Sequence, residues 1–404
     1  MTTYSLRLAD NRLITYEDRK RHLWLLSMVY PLMALSGIGL YYLTASQWAL
    51  MLPLVLIYGG TSLFDWWLGI DTSNPPEELV PQLEADPYYR WLPILTVPLH
   101  LVVLVLIAWF TASHDLSWFS VLLLALTAGL YSGLGINTAH ELGHKKTELE
   151  RWMARIVLAL PFYGHFCIEH NRGHHRHVAT PEDPASSRMG ENIYGFACRE
   201  IPGTFKRGWT LEKERLQRLG KSQWSLHNEA LQSYALGALL QISLIIAFGW
   251  IMLPFLALHN FFAWWQLTSA NYIEHYGLLR QQKANGSYEH CQPYHSWNAD
   301  FIASNLLLYH LERHSDHHAH PTRRYQSLRS FADLPSMPTG YFGMYLIALI
   351  PPLWYWLMDR RLLALPHING DFERINIAPG KRAALEARYG KFAANPLQPA
   401  QEAQ

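Results

Sequence analysis

Histidine is the residue type in this sequence that is best suited to chemistry. The chain holds 21 histidines in 404 residues, and nine of them lie in four short clusters. Neutral imidazole nitrogens are common ligands of iron, zinc and copper, so the clusters predict a catalytic metal site. The nine predicted ligands are His140, His144, His170, His174, His175, His275, His314, His317 and His318.

The spacing inside the clusters matches the faces of helices. Residues three or four apart share a helix face, so His140 and His144 are expected to bind one ion. By the same spacing, 170 and 174 can share an ion, and so can 314, 317 and 318. A directly adjacent histidine points about 100° away, which lets one helix serve two ions. Because nine ligands exceed what one ion can use, the pattern predicts two metal ions.

The first cluster also matches a zinc-protease pattern. H-E-L-G-H has the form H-E-x-x-H, in which Glu141 would act as general base beside a zinc ion bound by His140 and His144. A catalytic zinc ion takes three protein ligands and keeps one open position, which leaves about six clustered histidines without a role. A membrane zinc protease is therefore kept as the lesser alternative.

Acidic residues flank the clustered histidines. A metal-bound histidine usually donates its second ring N–H to a carboxylate, carbonyl or water, so we expect some of these acids to accept such a bond. The acids are Glu141, Glu169, Glu274, Glu312 and Asp316. For Glu312 and Asp316, surface or ion-pair roles are an equal alternative. Supporting or structural roles are expected for His290, His295, His310 and His320.

Long apolar segments surround the clusters. The chain is 50% hydrophobic and only 16% charged, whereas ordinary soluble domains carry about 25% charged residues. A membrane helix needs about 20 mainly apolar residues, and the sequence offers six candidates. They are 23–45, 48–70, 93–112, 118–139, 234–256 and 259–273. The last candidate is short and contains Gln266 and Asn271. The predicted fold class is an all-α integral membrane protein with six transmembrane helices and a cytoplasmic, histidine-rich helical domain.

Basic residues predict the orientation. Five of them lie in 1–22, and the positive-inside rule then places the N-terminus in the cytoplasm. Six crossings bring 140–230 and 275–380 to that same side, where the four clusters are able to meet. The net charge of +1 gives no indication of a nucleic-acid partner.

The predicted organisation has six parts. They are a cytoplasmic N-terminal segment (1–22), four transmembrane helices (23–139), a metal-binding region (140–230), two transmembrane helices (231–274), a second metal-binding region (275–380) and a tail or linker (381–404). The apolar run 341–357 contains two prolines and is expected to be an interfacial or buried helix that covers the cytoplasmic domain. The three cysteines form no C-x-x-C pair, which argues against a disulfide framework or a bound iron–sulfur centre.

The histidine patterns H-x-x-x-H, H-x-x-x-H-H and H-x-x-H-H around apolar spans resemble the membrane fatty-acid desaturase and hydroxylase superfamily. Within it, N-Y-I-E-H-Y-G-L-L-R (271–280) and L-E-R-H-S-D-H-H-A-H-P-T-R-R-Y-Q (311–326) resemble the bacterial alkane 1-monooxygenases. The resemblance runs along almost the whole chain, including N-P-P-E-E (74–78) and P-E-D-P-A-S-S-R-M-G-E (181–191).

This resemblance implies a non-haem di-iron monooxygenase of the bacterial inner membrane. It would hydroxylate the terminal methyl of medium- to long-chain n-alkanes to 1-alkanols, with O2 as co-substrate. Electrons would come from a rubredoxin that an NADH-dependent reductase reduces, and this rubredoxin would be either a separate chain or an extension of the tail. The iron ligands of the family map onto the same nine histidines. Fatty-acyl desaturation and xylene-type hydroxylation are alternatives within the same superfamily.

Two further expectations concern access to the metal site. An alkane has no polar group to bind, so we expect a narrow apolar channel between the spans that presents the chain end to the metals. The stretch 145–221 holds 14 Lys and Arg against 9 Asp and Glu. Positive-inside bias explains this excess, and a docking face for an acidic electron donor is a second interpretation.

Overall fold

The computed structural model describes residues 2–394, and the chain begins with a β-hairpin. Strand β1 (Thr2–Arg7) pairs antiparallel with β2 (Leu13–Asp18), so that Tyr4 lies opposite Tyr16. The apolar side chains of one face of the hairpin pack against Leu79 and Leu83. The prediction of an all-α fold is wrong here, because apolar and polar residues alternate with the period of a strand inside this polar segment.

The rest of the described chain is predominantly helical. The main helices are α1 (Leu25–Thr44), α2 (Gln47–Leu68), α3 (Pro87–Ser113), α4 (Trp118–Gly143), α5 (Glu148–Ala159), α6 (the consecutive segments Phe166–Glu169, His170–His174 and His175–His177), α7 (Ile193–Arg218), α8 (Glu229–Phe248), α9 (Met252–Glu274), α10 (His314–Ala319), α11 (Tyr341–Ala348), α12 (Pro351–Leu363) and α13 (Arg382–Ala393). Shorter helical turns are Glu77–Leu79, Val80–Ala85, Pro293–His295, Ile302–Leu307, Tyr325–Ser327 and Phe372–Arg374.

Five helices within residues 2–394 are long and apolar enough to cross a membrane: α1, α2, α3, α4 and α8. The most apolar stretch of α4 is 83% buried, whereas that of α8 is 17% buried, so α4 is central and α8 has its surface free for lipid. The predicted sixth span, 259–273, lies within the 23-residue helix α9. This helix carries Gln266 and Asn271 and does not reach the same apolarity, so its crossing stays a prediction.

Helices α4 and α9 lie side by side at very short distance. A Cβ added at Gly129 would lie 2.7 Å from the carbonyl oxygen of His259, and one at Gly133 would lie 2.6 Å from Cγ of Gln266. Glycine is therefore required at both positions. Gly129 meets His259 and Gly133 meets Gln266, so the residue numbers at the contacts rise in the same direction along both helices. The two helices therefore run parallel and end at the same side of the molecule.

The two apolar helices α11 and α12 replace the single helix expected at 341–357. They meet around Leu349 and Ile350, before the two prolines at the start of α12. Their inner faces, including Tyr341 and Trp354, are fully buried. Leu346, Ile350 and Trp356 are exposed, so this apolar segment is buried on one side only.

The C-terminal region also differs from the expected tail or linker at 381–404. Residues 382–393 form helix α13, which buries Leu385 and Tyr389. The hydroxyl of Tyr389 donates a 2.8 Å hydrogen bond to Asp359 of α12. The tail prediction is therefore wrong for this stretch, and residues 395–404 lie outside the described part of the chain.

Candidate metal centre

The nine clustered histidines come together in two groups. In each group, one ring nitrogen of every histidine lies within 4.8 Å of the corresponding nitrogen of every other. The first group is His140, His144, His170, His175 and His317; the second group is His174, His275, His314 and His318. His144 and His175 are partly exposed, and the other seven are buried.

Four structural elements position these side chains. The last turn of α4 carries His140, and His144 directly follows that helix. His275 directly follows α9, so the parallel packing of α4 and α9 brings these ligands to one side. The remaining ligands lie on α6 and α10.

Helix α6 distributes its ligands differently from the expected spacing. His170 and His175 belong to the first group, and His174 belongs to the second, although 170 and 174 were expected to share an ion. The reason is the π-helical turn His170–His174, in which the N–H of His175 bonds the carbonyl of His170 five residues earlier. Such a wide turn brings residue i+5 onto the face of residue i, and π turns are frequent at functional sites.

Helix α10 also serves both groups. His314 and His318, four residues apart, lie together in the second group, as their shared face predicts. His317 instead reaches the first group, so the three do not share one group. Neighbouring residues 317 and 318, like 174 and 175, point to different groups.

The nitrogen positions fit bound metal ions. Nε2 of His317 lies 2.9 Å from Nε2 of His140 and 3.1 Å from that of His175. In the second group, Nε2 of His314 lies 3.2 Å from that of His275 and 3.0 Å from that of His318. Two nitrogens about 2.1 Å from one ion and at right angles are about 3.0 Å apart, so this is the spacing of shared ligands.

Two histidines supply a second indication of bound metal. The Nε2 atoms of His144 and His174 are buried and have no hydrogen-bond partner within residues 2–394. A buried nitrogen without a partner costs free energy, and a metal ion would satisfy it. The residues present therefore fit one ion in each group.

Outer partners hold two of the second-group rings. Nδ1 of His174 lies 2.9 Å from a carboxylate oxygen of Asp183, and Nδ1 of His275 lies 3.1 Å from the carbonyl oxygen of His295. With Nδ1–H donated in this way, Nε2 is left free for a metal. Asp183 was missing from the predicted acids, because it follows His174 by nine residues and a turn brings it back.

Asp183 is held as a charged carboxylate. It accepts hydrogen bonds from the Ser186 hydroxyl and from Arg207, both at 2.6 Å. Burial by itself would raise the pKa of Asp183, but its contact with His174, the positive charge of Arg207 and these hydrogen bonds hold that pKa well below its usual value. The ring of His174 therefore faces a permanent acceptor.

Four of the five predicted acids contact groups other than a ligand histidine. Their partners are Lys145 for Glu141, Arg207 for Glu169, the backbone N–H of Tyr341 for Glu312, and Arg323 for Asp316. Glu141, Glu169 and Asp316 are each adjacent to a ligand in the sequence, so on a helix they point about 100° away from the metal. Only Glu274 approaches a ligand, with Oε2 3.4 Å from Nε2 of His314.

An apolar cavity lies between α4 and α9 and ends at the histidines. Leu134, Ala270 and Leu311 are among its walls. At the metal end it touches ligands of both groups. These are His140, His170 and His314, with Glu274 beside them.

Comparisons with known proteins agree with this geometry. Residues 116–348, which include all nine histidines, match the family described as fatty acid desaturase. The chain is 55% identical over 384 residues to alkane 1-monooxygenase 1 of Alcanivorax borkumensis, covering 95% of this chain and 94% of that protein. It is 52% identical over 376 residues to the alkane 1-monooxygenase of Pseudomonas putida, covering 93% and 92%.

A more distant relative is the xylene/toluene monooxygenase hydroxylase component XylM of Pseudomonas putida. It is 31% identical over 274 residues, which cover 63% of this chain and 65% of that protein. The two alkane 1-monooxygenases have a higher identity to this chain, and they align with it over a longer stretch. This chain therefore belongs to the alkane 1-monooxygenase family of membrane oxidoreductases, within the wider fatty acid desaturase family.

Proposed function

We propose that the protein is a non-haem di-iron monooxygenase that converts medium- to long-chain n-alkanes and O2 to 1-alkanols. The observation that carries this proposal is the apolar cavity between α4 and α9, which ends at histidines of both groups. Such a cavity suits a substrate without polar groups. The names of the relatives at 51–55% identity support the choice of alkanes as the substrate class.

The five histidines of the first group and the four of the second would each hold one iron ion. When bound, the iron pair supplies the activation of O2 that inserting oxygen into a C–H bond requires. A protease with one zinc ion would use only part of this ligand set. Glu141, the general base of that alternative, is 3.0 Å from Lys145 in a buried ion pair, which also favours oxidation over proteolysis.

The residues of the cavity would orient the substrate by shape alone. Leu134, Ala270 and Leu311 line a narrow space that presents a chain end to the metal side and keeps water away. Glu274 lies at that end, and its Oε1 is buried without a hydrogen-bond partner in the described part of the chain. Its carboxylate is positioned to hold or release a proton there.

The proposed setting is the inner membrane of a bacterium, with the N-terminus and the metal site in the cytoplasm. The basic residues of 1–22 support this orientation. Reduced rubredoxin, regenerated by its NADH-dependent reductase, would deliver electrons from the cytoplasm, and the alkane would enter from the lipid.

Product identification tests the proposed function directly. Purified protein with two iron ions per chain is expected to convert n-octane to 1-octanol when O2, NADH, rubredoxin and its reductase are all present. Parallel reactions with a fatty-acyl substrate and with xylene separate the alternatives. Activity of a zinc-loaded, iron-free preparation, or an absence of alcohol from any n-alkane at full iron loading, would refute the proposal.

Widening the cavity is expected to weaken terminal selectivity. In Leu134→Ala, the removed side chain lets the alkane lie obliquely, so the ratio of 2-octanol to 1-octanol should rise about tenfold, as expected for pocket contacts of this size. Gas chromatography of the products measures this ratio. Leu130→Ala, on the same helix and equally buried but outside the cavity wall, is the matched control for lost packing. Unchanged regiochemistry in Leu134→Ala would argue against orientation by shape.

A further inference from the structure

The apolar cavity carries a polar side chain near its metal end that is not a predicted metal ligand. Asn271 lies in the last turn of α9, four residues before His275, and is only 6% exposed. It lines the apolar cavity together with ligand histidines of both groups. A buried amide normally has hydrogen-bond partners for its nitrogen and its oxygen, so the partners of Asn271 indicate what this position is built to bind.

The nitrogen of this amide is held from outside the cavity. Nδ2 of Asn271 donates a 3.1 Å hydrogen bond to Oε1 of Glu200, a fully buried residue of α7. The other carboxylate oxygen, Oε2, accepts a 2.7 Å hydrogen bond from the hydroxyl of Thr268, which lies almost one turn earlier on α9. Neither Glu200 nor Thr268 lines the apolar cavity. The amide nitrogen is therefore fixed toward α7 and away from the cavity.

The oxygen of the same amide is left available. The oxygen and the nitrogen of a side-chain amide point in different directions, so the bond to Glu200 turns Oδ1 of Asn271 toward the cavity. Within residues 2–394 no donor bonds this oxygen, and protein does not fully enclose it. Gln266 also lines the cavity, but its Oε1 accepts a 2.8 Å hydrogen bond from Tyr58 and its Nε2 donates to the carbonyl of Phe262. Asn271 thus offers an acceptor where Gln266 does not.

We propose that Oδ1 of Asn271 accepts a hydrogen bond from the hydroxyl of a primary alcohol, so that the cavity binds a 1-alkanol more tightly than the matching n-alkane. This inference rests on the proposed function, in which the hydroxyl forms at the chain end nearest the metals. An alkane leaves the buried acceptor unpaired, which costs free energy, whereas the alkanol satisfies it. The 1-alkanol product is therefore a competitive inhibitor that this one contact retains.

Removal of the acceptor tests the proposal. Radiolabelled 1-octanol and n-octane are equilibrated with iron-loaded protein in nanodiscs without a reductant, and empty nanodiscs correct for partition into the lipid. In Asn271→Leu, which has a similar size but no acceptor, the preference for 1-octanol over n-octane should fall about tenfold. Thr268→Val is the matched control, because it removes a bond to the same Glu200 carboxylate from the same helix but outside the cavity. It should keep the wild-type preference.

A change of ligand tests the same contact on the wild-type protein, even if Asn271→Leu does not fold. 1-Fluorooctane has nearly the shape of 1-octanol but no O–H, and it should bind about tenfold more weakly. Equal binding of these two ligands, or an unchanged preference in Asn271→Leu, would overturn the proposal. A loss of preference only in Asn137→Leu would also overturn it, since Asn137 lines the cavity and its Nδ2 is likewise held, by the carbonyl of Leu308 at 2.8 Å. Failure of the proposed function has a different signature: no 1-octanol would form in the complete reaction, while the binding preferences stay as expected.

Discussion

Replacing His317 by alanine is expected to remove the metal ion of the first group, and replacing His318 by alanine is expected to remove that of the second. Either substitution should abolish hydroxylation. His317 contacts Nε2 of His140 and His175 in the first group, whereas His318 contacts His314 in the second. Each variant should bind about one iron ion per chain in place of two. Activity should fall by more than the 10–100-fold typical of losing an outer partner of a metal ligand.

Elemental analysis of purified protein and 1-octanol formation measure the two effects. The control is His320→Ala at the end of the same helix, where the side chain is 54% exposed and belongs to neither group. It should keep both ions and full activity. Two ions and normal turnover in either of the other variants would contradict the assignment of these histidines as ligands.

Substitution of Asp183 by asparagine is expected to weaken iron binding in the second group by 10–100-fold. The carboxylate accepts the hydrogen bond that orients His174, and it also bonds Ser186 and Arg207. Asparagine has nearly the same shape but lacks the charge, so Arg207 and the His174 ring lose their common acceptor. Asp183→Glu, which keeps the charge, should recover part of the affinity.

Titration with a chelator, followed by measurement of the iron that remains bound, quantifies this change. The neighbour Glu182 is a suitable control, because it is 61% exposed and pairs with His177 outside both groups. Glu182→Gln should therefore retain wild-type affinity. If Asp183→Asn also retains it, the hydrogen bond to His174 does not tune the metal site.

The convergence of the nine histidines could be predicted from the sequence, whereas their division between the groups could not. Helical periodicity places His314 and His318 on one face, as the structure shows. The same reasoning pairs His170 with His174 and fails, because one π-helical turn shifts the face by a residue. Nothing in residue types alone indicates such a turn.

The outer partners of the histidines were harder to predict than the ligands. Residues such as Glu141 and Glu169 were proposed for their closeness in sequence, yet that closeness places them on the wrong side of the helix. Asp183 and the carbonyl of His295 reach their histidines through loops, and loop paths have no periodicity to read. The N-terminal hairpin is different, because the alternation of apolar and polar residues in β1 and β2 already has the period of a strand.

Five of the six predicted spans correspond to helices long and apolar enough to cross a membrane, but the ends of the helices were predicted less well. The fourth span was expected to end at 139, but α4 continues to Gly143 and carries His140 within its last turn. Hydropathy marks where apolar residues stop, whereas a helix ends where its backbone hydrogen bonds end.

The neighbouring pairs 174/175 and 317/318 tie the two histidine groups to each other. Each pair joins the groups through a single peptide unit, whose Cα atoms are about 3.8 Å apart. The main chain therefore holds the two groups side by side at two independent places. Replacing a side chain elsewhere in the centre would change how tightly an ion binds, but it would leave the backbone link between the groups in place.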